Sequence, residues 1–344
     1  MTQTRIQCFD GHNDILSKIR DEKHLDPNAF INGFDGAEID LPKAEKGGLV
    51  GGLCAVYPPS VDLTPDANGV YPELKQKDAL GPSKEMAKLL HDIEKLAPQR
   101  FKICKTAKDI KEAIKAHQFA AVFHIEGAEA IGENLEELAM FYENGLRSLG
   151  PVWSRPNIFG FGVPFKYPST GDIGPGLTEA GKKLVRECNK LGIMVDLSHM
   201  NEKGFWDIAK LSDAPLVASH SNAYHLSHQS RNLTDEQLRA IGKSKGLVGI
   251  NFGVKFLRAD GERNRDTPLK TIINHMRYIV DIVGVEHVGL GSDFDGTTIP
   301  NDLSDCTQLP KLVDAMEKAG FTHDEIEKIT SKNWIAVLER IWGN

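Results

Sequence analysis

The chain has 344 residues, of which 40% are hydrophobic and 26% charged, with a formal net charge of −7. That balance excludes a disordered or fibrous chain, and the lack of clustered Lys and Arg with interleaved aromatics excludes nucleic acid as a partner. The five cysteines, at 8, 54, 104, 188 and 306, form no CxxC pair, which excludes a disulfide framework or a thiolate zinc site and fits a reducing compartment.

The N-terminal MTQTRIQCFDG runs into a candidate strand without a long apolar stretch. No segment approaches the roughly 20 apolar residues of a membrane helix. A cytoplasmic protein with no membrane partner is the expectation. Short apolar runs predict strands near 6–10, 49–56, 119–125, 146–152, 193–198, 215–219, 246–252 and 287–292. Amphipathic stretches between them predict helices over 83–96, 106–117, 134–144, 178–191, 203–211, 234–244 and 269–283, with 307–319 and 323–342 closing the chain. Thr178-Glu179 reads as one helix start, and Thr234 with Gln237 as a capping box. Strand alternating with helix implies a parallel sheet. Eight strands imply an α/β fold of the (β/α)8 TIM-barrel type with C-terminal helices, spanning 1–344 as a single domain. Residues 57–82, 153–177 and 254–268 read as long loops after strands, the face where such barrels build their sites.

Side chains with metal-binding chemistry stand at the ends of those apolar strands. His12 and Asp14 end the first, Glu126 the third, His199 the fifth, His220 the sixth and Asp293 the eighth. Strand alternation predicts that Asp10, His12 and Asp14 face one way, Asp10 as a partner of the ligands. Buried carboxylates left unpaired are costly, and a bound cation relieves that cost. His124 reads as a hydrogen-bonded core residue, Asp295 as a turn residue, and His225 and His228 as loop packing. No role is assigned to the histidines at 24, 91, 117, 275, 287 and 323.

His12-Asn13-Asp14, Glu126-Gly127, Asp196-Leu197-Ser198-His199, Ser219-His220-Ser221-Asn222 and Gly291-Ser292-Asp293-Phe294-Asp295-Gly296 occur in that order across nearly the whole chain. Together they resemble the renal (membrane) dipeptidase family, the M19 branch of the amidohydrolase superfamily. The resemblance implies two divalent metal ions, zinc above all: His12 and Asp14 on one, His199 and His220 on the other, with Glu126 and a hydroxide bridging them. It implies that Asp293 shuttles the proton from the attacking hydroxide to the leaving amine. Arg231, in Ser230-Arg231-Asn232, takes the position that grips a dipeptide's carboxylate with a guanidinium fork. The implied substrates are dipeptides, L-Xaa-D-Xaa among them, and the implied assembly is a homodimer. In one place the chain departs from the mammalian pattern, which carries a carbonyl-polarising histidine after the fourth strand where this chain has Trp153. An indole N–H donates a hydrogen bond but carries no charge, so Arg155 or Asn157 is the candidate replacement donor. Because fold does not fix function, two alternatives stand beside the dipeptidase reading. One is an amidohydrolase acting on lactones, β-lactams or other amides; the other is a non-catalytic barrel that binds metal or peptide.

Overall fold

The computed structural model describes residues 6–343; the ends of the expected 1–344 domain, residues 1–5 of the N-terminal segment and residue 344, lie outside the described residues. Nine strands are described: β1 (Cys8–Asn13), β2 (Leu49–Val56), β3 (Phe101–Ile103), β4 (Phe119–Glu126), β5 (Leu146–Gly150), β6 (Met194–Val195), β7 (Val217–Ser221), β8 (Leu247–Ile250) and β9 (Val288–Leu290). Eight run in the order β6-β5-β4-β2-β1-β9-β8-β7, all pairings parallel. A bridge between Asp196 and Val217 joins the two ends of that order. The sheet therefore closes as the TIM-type barrel that the strand count implied.

The strands are legible because a barrel strand is covered on both faces and reads as a continuous apolar run. All eight residues of β4, FAAVFHIE, are buried. Strand bounds shift by a few residues, and one shift matters for the site. The first strand is Cys8–Asn13 rather than 6–10, which brings His12 into it. The strand β3 is new: three residues carry no readable period, and they pair with β4 at 119–121, below the stretch where β5 takes that edge.

The barrel interior is filled by Phe9, Leu53, Val122, Met194, Val217 and Leu247 packed around Trp334. This tryptophan rises from the C-terminal helix Asn333–Trp342, and its Nε1 donates to the Leu290 carbonyl at 2.7 Å. Gly11 leaves room for it, since a Cβ there would collide with the indole and with the Ser219 carbonyl at 2.5 Å.

Thr178 accepts the Gly181 N–H at the start of helix Glu179–Leu191, and Thr234 and Gln237 form the capping box of helix Asp235–Lys243. Three helices between β1 and β2 were not expected: Ile15–Lys23, Pro27–Asn32 and Leu41–Gly47. The helix expected over 83–96 is Gln76–Leu96, so the 57–82 loop is shorter than its Gly81-Pro82 breaker suggested. Pro82 falls in the helix interior, where it removes one intrahelical hydrogen bond without ending the helix. Likewise the 254–268 loop opens with a turn of helix, Val254–Leu257. Among the described residues no helix is long and apolar enough to cross a membrane.

Candidate metal centre

The five predicted ligands meet at the C-terminal mouth of the barrel. Glu126, the last residue of β4, directs its two oxygens apart. Its Oε2 lies 3.5 Å from His12 Nε2, while Oε1 lies 2.8 Å from His199 Nε2 and 3.5 Å from His220 Nε2. On the first side Asp14 Oδ2 stands 3.3 Å from His12 Nε2; on the second, the Nε2 atoms of His199 and His220 are 3.0 Å apart. One carboxylate thus stands between two donor pairs. Asp14 reaches its place from the turn into helix Ile15–Lys23 rather than from strand alternation, with its N–H on the Phe294 carbonyl.

The donor set fits a divalent cation. His12 is fully buried and neither of its ring nitrogens has a hydrogen-bond partner among the described residues, a costly state for a polar atom unless something else supplies the contact. Its Nε2 faces two carboxylates. His12, Glu126 and His220 form one cluster whose ligand atoms lie within 4.8 Å of one another, and His12, Asp14 and Asp293 form another. Imidazole and carboxylate donors without thiolate suit zinc or a similar ion.

A hydroxyl and carboxylate layer orients these imidazoles. Asp196 accepts from the N–H groups of Ser198 and Ser219 at 3.1 and 2.8 Å, and from their hydroxyls at 2.7 and 2.5 Å. With its hydrogen committed to Asp196, the Ser219 oxygen accepts from His220 Nδ1 at 2.8 Å, leaving the Nε2 lone pair for a ligand. Ser154 Oγ meets His199 Nδ1 at 2.8 Å. Burial holds the pKa of both histidines well below the usual imidazole value, with Arg231 repelling charge on each, so both are neutral donors. His124 is the hydrogen-bonded core residue expected: Nδ1 meets Ser148 Oγ at 2.8 Å, and burial pushes its pKa down to about 3.

Asp293 follows β9 with φ +61°, a left-handed conformation that Asp tolerates better than most residues. Its N–H donates to the His12 carbonyl at 3.0 Å. Burial pushes its carboxyl up to about 6, with His12 opposing and Asp14 adding. Gly296 lets this happen: a Cβ there would strike the carboxylates of Asp14 and Asp293. Asp10 departs from expectation. Phe9 pairs with Gly51 but Asn13 with Cys54, so β1 holds one extra residue and the alternation that put Asp10 beside His12 breaks. Asp10 instead accepts the Ser292 N–H and hydroxyl, each at 2.7 Å, pinning the end of β9. Asp295, the expected turn residue, accepts the N–H groups of Glu38 and Ile39 at 2.8 and 3.3 Å.

Arg231 reaches the site floor. It donates from Nη1 to the Ser198 carbonyl and from Nη2 to the His220 carbonyl at 3.3 Å, and Nη2 lies 3.2 Å from His199 Nε2. Its buried Nε–H has no partner among the described residues. Burial lowers its pKa to about 10, so it stays charged. Trp153 stands over His199, ring centres 5.9 Å apart, in a wall with Tyr57, Tyr71 and Phe165 at 5.3, 5.4 and 5.6 Å.

Asn157 does not join them. Its Nδ2 donates to the Pro151 carbonyl and its Oδ1 accepts from Phe159 and Gly160, so its polar atoms close their own loop. Arg155 is also committed, to buried Glu129 at 2.8 Å, the Pro58 carbonyl at 2.8 Å, Tyr57 and Ser60. The replacement donor proposed at these two positions is therefore absent from both. His225 and His228 stack on Tyr278 and Tyr224, as loop packing should.

Sequence reasoning missed Ser154 and also Asn251, which donates to Asp293 Oδ2 at 2.8 Å. Ser198 and Ser219 carry no assigned role in the sequence reading, although a hydroxyl directly before His199 and before His220 was a usable signal.

The sequence pattern of the membrane dipeptidases (peptidase family M19) matches residues 1–342. An uncharacterised protein from the pqqA 5′ region of Klebsiella pneumoniae is 48% identical over 243 residues, 71% of this chain and 90% of its own length. A metallopeptidase from Rhodobacter sphaeroides, crystallised with a phosphinate mimic of the dipeptide L-Ala-D-Ala, superposes with a TM-score of 0.95 at 44% identity, covering 98% of this chain and 99% of the other. A crystal structure of the dipeptidase AC, a family M19 metallopeptidase, gives a TM-score of 0.95 at 45% identity with the same coverage.

Proposed function

The chain belongs to the membrane dipeptidase family, peptidase M19, and is thus a metal-dependent dipeptidase; from that premise we propose that it cleaves dipeptides of the L-Xaa-D-Xaa type at a two-metal centre, the whole chain serving as one hydrolase domain. The observation that carries the reading is the divergence of the Glu126 oxygens toward two separate donor pairs, His12 with Asp14 and His199 with His220. The phosphinate mimic of L-Ala-D-Ala held by the Rhodobacter relative supports the substrate class.

Held by His12, Asp14, Glu126, His199 and His220, two zinc ions would supply Lewis-acid polarisation of the scissile carbonyl and would acidify a water for use as the nucleophile. The remaining work belongs to side chains. Asp293, at the edge of the ligand cluster, accepts the nucleophile's proton and returns it to the leaving amine; a carboxyl raised to about 6 suits both halves of that transfer near neutral pH. Arg231 binds the free carboxylate through its unpartnered Nε–H and its charge. Trp153 closes the aromatic side, excludes water and restricts the site to small substrates.

The test is hydrolysis of a panel of L,L and L,D dipeptides by zinc-replete protein beside a chelated control. Chelator-sensitive release of the C-terminal residue from L,D dipeptides is the expected result. Turnover of L,L dipeptides alone would overturn the stereochemical part of the proposal.

A further inference from the structure

Lys255 lies on the short helix Val254–Leu257 that follows β8, inside the predicted 254–268 loop. Its ammonium sits 3.7 Å from the centre of the Phe165 ring and 4.7 Å from that of Phe256. Those rings belong to the site: Phe165 packs on Trp153 and His199, and Phe256 also faces the Arg231 guanidinium. With Lys255 Nζ 4.7 Å and Arg231 Cζ 5.6 Å from the same Phe256 centroid, the two charges lie no more than about 10 Å apart. An ammonium has three N–H donors. Among the described residues, none of those on Lys255 finds an acceptor and no carboxylate pairs with it. Its surroundings add to the cost: burial pushes its pKa down to about 8, Arg263 and Arg231 repel it, and only Asp293 attracts it.

Aromatic faces hold an ammonium in position, but they do not satisfy its hydrogen bonds. A half-buried cation beside a second one, with open donors and no carboxylate paired with it among the described residues, is arranged to receive an anion from outside. Resting on the dipeptidase reading above, we propose that Lys255 and Arg231 form a two-cation pocket selecting dipeptides whose C-terminal residue bears a second carboxylate, D-Asp or D-Glu. The dimensions permit this. The two carboxyl carbons of Asp or Glu are roughly 4–5 Å apart, and with a charge-assisted contact of about 2.8 Å at each end an extended side chain reaches about 10 Å. That is the upper limit that the two ring distances set, and a folded side chain reaches less. Arg231 takes the main-chain carboxylate and Lys255 the side-chain one, so Lys255 sets specificity without touching the scissile bond.

The experiment compares kcat/KM for L-Ala-D-Glu, L-Ala-D-Asp and L-Ala-D-Ala in the zinc-loaded wild type, Lys255→Met and Lys255→Arg. The wild type should favour the acidic substrates. In Lys255→Met the acidic-to-neutral ratio should fall at least about tenfold, mainly through KM, and Lys255→Arg should restore most of it. A wild type with no acidic preference, or a Lys255→Met variant that loses activity on all three substrates in equal proportion, overturns the inference and leaves the dipeptidase reading standing. The second outcome would move Lys255 to the main-chain carboxylate or to the fold. Failure of the zinc-loaded wild type to cleave any of the three would instead strike the dipeptide reading itself, and the pocket with it.

Discussion

Asn251 donates its side-chain amide to Oδ2 of Asp293 at 2.8 Å, and no hydrogen bond from the described residues reaches Oδ1. One oxygen is thereby fixed and the other left to exchange a proton. Asn251 sits just past β8 and Asp293 just past β9, adjacent strands whose register sets the aim of the carboxylate.

Replacing Asp293 with Asn keeps the shape and removes the proton acceptor. We expect kcat to fall by roughly 10²–10⁴-fold while zinc content, measured by atomic emission, stays at the wild-type level. Loss of metal in step with activity would make Asp293 a ligand instead, a role its closeness to His12 and Asp14 also permits.

Ser219→Ala cuts the link from Asp196 to His220 Nδ1. Such supporting contacts typically carry about 10–100-fold in metal affinity, and competition with a chromophoric chelator should show a loss of that size. An unchanged affinity would mean that packing alone holds the His220 ring. At saturating zinc most of the lost activity should return.

His275, a residue with no role on sequence grounds, provides a pH handle on stability. It is buried in the helix Leu269–Val283, accepts the Ala223 N–H at Nδ1 (3.1 Å) and meets the Leu257 carbonyl at Nε2 (3.0 Å), contacts that fix a neutral ring. Burial pushes its pKa down to about 4, the Leu257 carbonyl opposing. In the unfolded chain a histidine titrates near 6.5. Below that pH the unfolded state takes up a proton that the folded state refuses. The contribution is complete above about 6.5 and is lost as pH falls toward 4, by roughly 3 kcal/mol over the window. Urea unfolding at pH 7.5 and pH 5 should show the loss, and His275→Gln should be less stable at the higher pH with a shallower dependence. Equal slopes in the two proteins would assign the effect to other groups.

The sequence exposed the barrel and the polar cluster at its mouth for one physical reason. A strand buried on both faces must be apolar, so His12, Glu126, His199, His220 and Asp293 at apolar strand ends stand out as polar groups that something must satisfy. What stayed hidden was set by tertiary contact. The bulge in β1 that diverts Asp10 to Ser292 has no local signature, and β3 is defined only by its neighbour β4. The early helices were readable in part: Asp26 before Pro27 and Asp40 before Leu41-Pro42 are start signals, and both aspartates cap their helices. They were obscured by the turn-like composition around them. Asn157 looked available as a donor because a sequence does not show which loop carbonyl an amide will meet. Lys255 carries no local signal, because Phe165, the ring on which its ammonium sits, lies 90 positions earlier.

The centre has a floor and walls of different origin. Strand ends and their immediate turns carry Glu126, His199, His220 and Asp293, locked by register and by Asp196 and Asp10. Longer excursions of chain carry Tyr57, Tyr71, Trp153, Phe165, Lys255 and Phe256. Such a division makes the enzyme modular. Exchange or drift of the excursions can retune which molecules are admitted while the hydrolytic apparatus below is untouched, so a lineage built on this plan can acquire new diets without relearning its chemistry. For the protein engineer the same partition marks where to randomise and where to leave the chain alone.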